Sequence, residues 1–197
     1  MSHYYINDKN LKDNEAFFDV QVDGTSFRFY TNDGVFSKRD FDFGSYLLIK
    51  SALGLGTFST VIDMGCGYGP IGIIYSKFNN DAKVYMYDVN LRALDLARKN
   101  MILNNVSNAF AFESYLFEKV EVKADLILTN PPIRAGKSVI FKLYEDAYKH
   151  LNENGVLLVV IQRKQGAPST MEKLKSIYNN VEVIEKKGGY WIISAAK

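Results

Sequence analysis

The sequence has one cysteine, Cys66, and two histidines, His3 and His150, far apart in the chain. A single thiol excludes an internal disulfide and a thiolate zinc cluster, and such distant histidines make no helical His-pair metal site. Without disulfides the default home is reducing and cytoplasmic. No apolar run approaches the roughly 20 residues that span a bilayer, and the polar first 15 residues lack the apolar stretch of a secretory signal. The expectation is therefore no membrane and no metal. Charge of one sign is lacking too. With 24 Lys+Arg against 22 Asp+Glu the formal net charge is +2, so any contact with RNA has to come from a local patch.

What is present suits one folded domain: 197 residues, 47% apolar and 23% charged. After the polar tail, the aromatic and β-branched runs at 17–22 and 25–30 flank Asp23-Gly24, a hairpin signal. Gly44 to Leu53 reads as a helix ended by Gly54-Leu55-Gly56. Strands then alternate with helices. Strands are expected at 61–63, 84–88, 109–113, 126–129, 156–161, 181–184 and 190–194. Helical faces are carried by residues 71–77, by Leu91, Leu94, Ala97 and Met101, by Ile140, Leu143, Ala147 and Leu151, and by Met171, Leu174 and Ile177. Asn154-Gly155 is the expected stop of the third of these helices. The run Val156 to Ile161 is apolar throughout, as a strand buried on both faces would be. The short link Lys186-Lys187-Gly188-Gly189 demands antiparallel pairing of the last two strands. The pattern predicts an α/β fold: a doubly wound, Rossmann-like, seven-stranded and mostly parallel sheet with an antiparallel last strand, plus an N-terminal β-hairpin extension. Residues 1–55 form the extension and 56–197 the core.

Two turns carry the chemistry. Asp63-Met64-Gly65-Cys66-Gly67-Tyr68-Gly69 follows the first core strand and precedes a helix, at the carboxyl edge where such sheets bind ligands. Asp88 ends the next strand, a position suited to a ribose diol. A dinucleotide site would want a third glycine where Pro70 stands, and Asp63 would repel a pyrophosphate. S-Adenosylmethionine carries no phosphate, and its cationic ammonium and sulfonium suit Asp63, so this cofactor is favoured over a nicotinamide dinucleotide. Cys66 reads as a small filler of the loop.

The second turn is Asn130-Pro131-Pro132-Ile133, straight after a buried strand. The prolines stop the strand and stiffen the turn, and Pro132 fixes the direction of the Pro131 carbonyl. An Asn oxygen beside a rigid carbonyl makes a two-acceptor clamp for an NH₂ group, leaving the nitrogen lone pair for in-line attack on a methyl carbon. The same residues would also serve as a plain proline-stopped strand end.

With these residues the chain resembles the class I S-adenosylmethionine-dependent methyltransferases that modify exocyclic amines. It resembles more closely the "small" methyltransferase domain of 16S ribosomal RNA guanine-N2 methyltransferases. Gly34-Val35-Phe36-Ser37, Asp42-Phe43-Gly44 and Arg134-Ala135-Gly136-Lys137 add to that likeness, which runs from about Phe17 to Lys197. The resemblance implies that Asp63, Gly65, Cys66, Gly67 and Gly69 line the methionine part of the cofactor. Asp88 would then hold the ribose and Val89 pack on the adenine. Ser114-Tyr115 stands where the family usually places an acidic contact to the adenine amino group. Asn130 and the Pro131 carbonyl would be catalytic, with Phe36, Pro132, Ile133, Arg134 and Lys137 toward the substrate. Ile133 replaces the aromatic ring that often stacks on a flipped base, and Phe36 is the candidate substitute.

Arg134, Lys137, Arg163, Lys164, Lys38 and Arg39 offer a basic rim for phosphates, with Gln162 at the pocket mouth. The favoured function is methylation of guanine N2 in ribosomal RNA, with RNA or a ribosomal particle as partner. Methylation of a protein glutamine amide and a non-catalytic RNA-binding module are the competitors. A nicotinamide dehydrogenase is more remote, opposed by Pro70.

Overall fold

The computed structural model describes residues 16–32 and 41–197. The polar tail, the 34–37 element with Phe36, and Lys38 and Arg39 lie outside the described residues.

The chain opens with a hairpin, β1 (Ala16–Val22) and β2 (Thr25–Thr31), paired antiparallel through Val22 and Thr25. Asp23 and Gly24 both take positive φ, 47° and 79°, as a two-residue primed turn requires. Phe27 and Phe29 of β2 are buried, each contributing at most about 3 kcal/mol of apolar burial. The backbone of β2 is met by asparagine side chains from α3 (Leu91–Leu103) and its C-terminal end. Asn100 accepts from Tyr30 N at 2.7 Å and donates to Tyr30 O at 3.0 Å. Asn104 does the same for Arg28, at 3.1 and 2.8 Å. Spaced i and i+4, the two amides lie on one helix face and act as a surrogate strand. Asn100 also donates to Tyr68 O at 2.9 Å, which ties the hairpin to the glycine turn.

Helix α1 (Phe43–Gly54) is capped by Asp42 and buries Leu48, Ile49 and Ala52 completely. The remaining elements are β3 (Thr60–Met64), α2 (Pro70–Phe78), β4 (Lys83–Asp88), β5 (Ala109–Glu113), β6 (Ala124–Thr129), α4 (Lys137–His150), β7 (Leu151–Gln162), α5 (Ala167–Lys175), β8 (Asn180–Lys187) and β9 (Tyr190–Ala196). The seven core strands form one sheet in the order β5-β4-β3-β6-β7-β9-β8. β5, β4, β3, β6 and β7 are parallel, and β9 runs antiparallel to both β7 and β8.

The expected fold class is therefore what the chain adopts, an α/β sheet with an antiparallel last strand. That last strand lies inside the sheet, between β7 and β8. Gly188 and Gly189, at φ 57° and 80°, force β8 and β9 to be neighbours. The apolar β9, with Ile192, Ile193 and Ala195 buried, takes the inner place, and the largely uncovered β8 takes the edge.

Side chains alternate between two cores. Val61, Leu126, Leu128, Leu158 and Val160 face one, with residues of α1, α2 and α3. Ile62, Ile127, Leu157, Val159 and Ile161 face the other, with residues of α4 and α5. Strands buried on both faces read as unbroken apolar runs. Two expected boundaries are corrected. The third helix stops at His150, Leu151 already pairs with Ala124, and Asn154-Gly155 lies within β7. There the pairing with β6 shifts register. A side chain at Gly155 would meet backbone oxygens of Asn152 and Ala124 at 2.9 and 3.1 Å, so this glycine serves a strand irregularity. Ile177 similarly falls beyond α5.

Candidate active site

The strand order reverses between β3 and β6, and both strands end at the same edge. Such a reversal opens a crevice in which doubly wound proteins bind ligands. The ends are stitched together: Thr129 Oγ1 donates to Met64 O at 2.9 Å, in the core. Gly65 and Asn130 are the next residues of their chains, so the glycine turn and the Asn-Pro-Pro turn leave the sheet side by side.

The glycine turn is held from below by β4. Gly65 N and Cys66 N both donate to Tyr87 O, at 2.8 and 3.0 Å. Gly65, Gly67 and Gly69 have φ of 76°, 57° and 92°, a region that side chains disfavour. Nothing lies within 4 Å of where a Cβ on Gly65 would point, whereas one on Gly69 would strike Ile73 at 2.9 Å and Ala97 at 3.2 Å. The first glycine thus presents open backbone, and the last lets α2 and α3 close up. Cys66 is buried and its thiol is pushed well up, chiefly by burial, which suits a filler and leaves little thiolate.

The two acidic residues are spent differently. Asp88, nearly buried, accepts Gly67 N at 2.8 Å on Oδ2 and Asn90 N at 2.9 Å on Oδ1. It braces the turn through both carboxylate oxygens. Asp63 is fully buried; Oδ2 accepts Gly72 N at 2.9 Å, and Oδ1 has no partner. Burial pushes its carboxyl up to about 7, the Gly72 amide opposes this, and the nearby Asp88 adds to it. An orphaned buried carboxylate oxygen is a feature that a cationic ligand would satisfy.

Around the second turn, Pro131 is buried, and Asn130 and Pro132 are half-buried. The Pro132 carbonyl is taken by Ala135 N at 2.8 Å. Asn130 Nδ2 donates to Asp42 Oδ2 at 3.0 Å and to Ser45 Oγ at 2.9 Å. Ser45 in turn donates to Asp42 Oδ2 through its amide at 2.8 Å and its hydroxyl at 3.0 Å. Tyr190 Oη lies 3.5 Å from Asp42 Oδ1 and receives Gln162 Nε2 at 2.6 Å. The Tyr190 ring rests on the bare Cα of Gly44, where an added Cβ would come within 2.6 Å of it.

The other candidates lie around this centre. Val89 is half-buried beside Asp88. Ser114 is buried, donates its amide to Asp88 O at 3.0 Å, and its hydroxyl accepts Lys119 N at 3.1 Å. Tyr115 is 39% exposed. Ile133 is half-buried and packs on the α4-side core. Arg134 and Lys137 are exposed, the latter 5.1 Å from the Phe141 ring centroid. Arg163 and Lys164 line an open groove of about 530 Å³ with Gln162, Pro168, Gly188 and Gly189.

Sequence reasoning gave no role to Asp42, Ser45 or Tyr190. The local signal that was available, Asp at the start of a helix three residues before Ser, marks a cap and says nothing of Asn130. Among the described residues, no three His, Cys, Asp or Glu side chains group as metal ligands, and no helix is long and apolar enough to cross a membrane.

A switch-point crevice with a glycine turn on one side and an Asn-Pro-Pro turn on the other defines a Rossmann-like methyltransferase. The chain belongs to the methyltransferase small domain family, whose model matches residues 26–194. It is 42% identical over 197 residues to the uncharacterized protein YbxB of Bacillus subtilis, covering 99% of this chain and 98% of that one. It is 32% identical over 171 residues to ribosomal RNA large subunit methyltransferase G of Shewanella amazonensis, covering 83% of this chain and 44% of the relative. Among solved structures, it shares the fold of the T. thermophilus 16S rRNA N2 G1207 methyltransferase, determined with AdoMet and guanosine. The TM-score is 0.83 at 23% identity, covering 93% of this chain and 50% of that one. The chain thus spans about half the length of these two ribosomal RNA methyltransferases.

Proposed function

We propose that the protein is a cytoplasmic enzyme that transfers a methyl group from S-adenosylmethionine to an exocyclic amine, guanine N2 of ribosomal RNA. The observation that carries this reading is the Thr129–Met64 hydrogen bond, which sets the Asn-Pro-Pro turn directly beside the glycine turn. The likeness to ribosomal RNA methyltransferases supports the choice of substrate.

The residues fit the cofactor. The open backbone at Gly65 and the orphaned Asp63 Oδ1 suit its amino-acid end, with Gly67, Cys66 and Gly69 shaping the turn. Asp88 suits the ribose, and Val89, Ser114 and Tyr115 surround the adenine. When bound, the cofactor supplies an electrophilic methyl carbon on a sulfonium. Asn130 Oδ1 and the Pro131 carbonyl accept the hydrogens of the target amine and aim its lone pair. The nitrogen gains a bond to carbon, the carbon–sulfur pair stays with sulfur, and the surplus N–H proton leaves to water. Positioning and fixed dipoles carry the catalysis. Pro132 and Ile133 wall the base. Arg134, Lys137, Arg163 and Lys164 take phosphates, the last two along their groove. Residues 1–55 act as the extension and 56–197 as the core.

The test is nucleoside mass spectrometry of ribosomal RNA from cells lacking the protein and from their parent. It is paired with transfer of tritiated methyl from S-adenosylmethionine to RNA and to protein, with Asn130→Ala as control. Loss of one N2-methylguanosine, restored by wild type only, is expected. Label on protein alone would overturn the RNA reading, and full activity of Asn130→Ala would overturn the clamp.

A further inference from the structure

We propose that Asp42 and Ser45 are positioning residues that lock the Asn130 amide with its oxygen toward the target amine, a role that rests on the methyl-transfer reading above. An asparagine amide presents two faces of similar shape and opposite polarity. Turned one way it accepts the hydrogens of an amine; turned the other it repels them. Nothing in the Asn-Pro-Pro turn itself selects between the two.

The α1 N-terminus makes the selection. Asp42 Oδ2 stands 3.0 Å from Asn130 Nδ2, and an ionised carboxylate only accepts, so it takes the NH₂ end and rejects the oxygen. Ser45 is the second selector. Its single hydroxyl proton goes to Asp42 Oδ2 at 3.0 Å, which leaves Oγ as an acceptor toward Asn130 Nδ2 at 2.9 Å. The NH₂ end of the amide thereby faces two acceptors on the α1 side, and Oδ1 is the atom left for the amine. Asp42 Oδ2 gathers three donors: Ser45 N, Ser45 Oγ and Asn130 Nδ2.

The arrangement also supplies charge. Methyl transfer makes the accepting nitrogen more positive as its new bond forms. A carboxylate hydrogen-bonded to the back of the amide draws its NH₂ hydrogens and enriches Oδ1 in negative charge, since hydrogen bonds in series polarise one another. The stabilisation grows with the charge that develops, so it acts on the rate more than on binding. The position of Asp42 is itself defended. Gly44 carries no side chain, so the Tyr190 ring closes against it, with Tyr190 Oη beside Asp42 Oδ1.

Two measurements on the full chain test the role. The first needs no turnover: solvent exchange of the Asn130 side-chain NH₂, followed by ¹⁵N NMR in wild type, Asp42→Ala, Asp42→Asn and Ser45→Ala. Wild-type protection is expected, with exchange at least tenfold faster in Asp42→Ala and an intermediate gain in Ser45→Ala. The second is single-turnover methyl transfer to a ribosomal RNA transcript. Here Asp42→Ala should fall about a hundredfold and Asp42→Asn about tenfold, with the Kd for S-adenosylmethionine within twofold of wild type. Asn caps a helix as well as Asp does, so Asp42→Asn keeps the test valid if Asp42→Ala does not fold. In an Asn130→Ala background the Asp42→Asn effect should vanish, which a general loss of structure would not produce.

Unprotected wild-type NH₂ protons would overturn the proposal. So would unchanged exchange in the variants, or an unchanged rate in an active Asp42→Asn enzyme. A wild type that shows protected Asn130 protons but transfers no methyl to RNA would instead refute the substrate reading and leave the lock standing.

Discussion

Replacing Asp63 by Asn should remove a defined pH dependence from the stability of the fold. The Asp63 carboxyl is pushed up to about 7 from a reference of 3.8, mainly because burial disfavours its charge. Between those values the unfolded chain has released this proton while the folded chain retains it, so raising the pH favours unfolding. Below 3.8 both states hold the proton, and above about 7 neither does, so the effect is confined to the interval. At 1.36 kcal/mol per pKa unit, a shift of about three units means that Asp63 costs the ligand-free fold roughly 4 kcal/mol above neutrality. Asn in its place still offers an oxygen to Gly72 N and does not titrate.

Urea unfolding of both proteins from pH 4.5 to 8.5 isolates this contribution, because every other titrating group is shared. Wild type should lose about 3 kcal/mol of stability relative to Asp63→Asn across that range, with the loss ending near pH 7. Parallel curves would refute the reasoning. A cationic ligand beside Asp63 stabilises the charged form, so wild-type affinity for S-adenosylmethionine should gain with pH relative to the variant. Calorimetry at pH 6 and pH 8 reads that difference, and equal gains would show that the orphaned oxygen does not meet the cofactor.

Three further perturbations have defined outcomes. Asn100→Ala strips partners from Tyr30 N, Tyr30 O and Tyr68 O; at about 1 kcal/mol per bond this should cost about 3 kcal/mol, and hydrogen exchange should show β2 opening ahead of the sheet. Gly69→Ala combines a φ of 92° with a Cβ 2.9 Å from Ile73, so a loss of about 2 kcal/mol or more in urea unfolding and at least tenfold weaker binding of S-adenosylmethionine are expected. The double charge reversal of Arg163→Glu and Lys164→Glu should weaken binding to ribosomal RNA and lower the salt slope by about 2, with unchanged affinity for S-adenosylmethionine, as filter binding at several salt concentrations would show.

The elements that sequence revealed are those whose signal is local. The Asp23-Gly24 turn, the apolar run at 156–161 and the glycine turn each state their geometry within a few residues. Errors arose where a local signal had two meanings. Asn154-Gly155 is a common helix stop, and here the same pair serves a shift in strand register because the backbones of Asn152 and Ala124 leave no room for a side chain. The place of β9 inside the sheet depends on which of two hairpin strands is the more apolar, a comparison that the alternation of strands and helices does not make. The asparagine lock was illegible for a different reason. Its partners stand 88 and 85 residues from Asn130, and each is individually explained by helix capping.

That separation bears on where the protein divides. Sequence pattern places a boundary near residue 55, with an extension before it and a core after it. The chemistry runs across that line. Both acceptors proposed to orient Asn130 come from the N-cap and first turn of α1, and the same helix buries Leu48, Ile49 and Ala52 within the core on the α2 side of the sheet. Asn100 binds β2 and Tyr68 at once, so the hairpin braces the turn proposed to hold the cofactor. The described part of the extension is better understood as a wall that braces the glycine turn through Asn100 and holds Asn130 through Asp42 and Ser45, while the Thr129–Met64 bond keeps the two turns side by side.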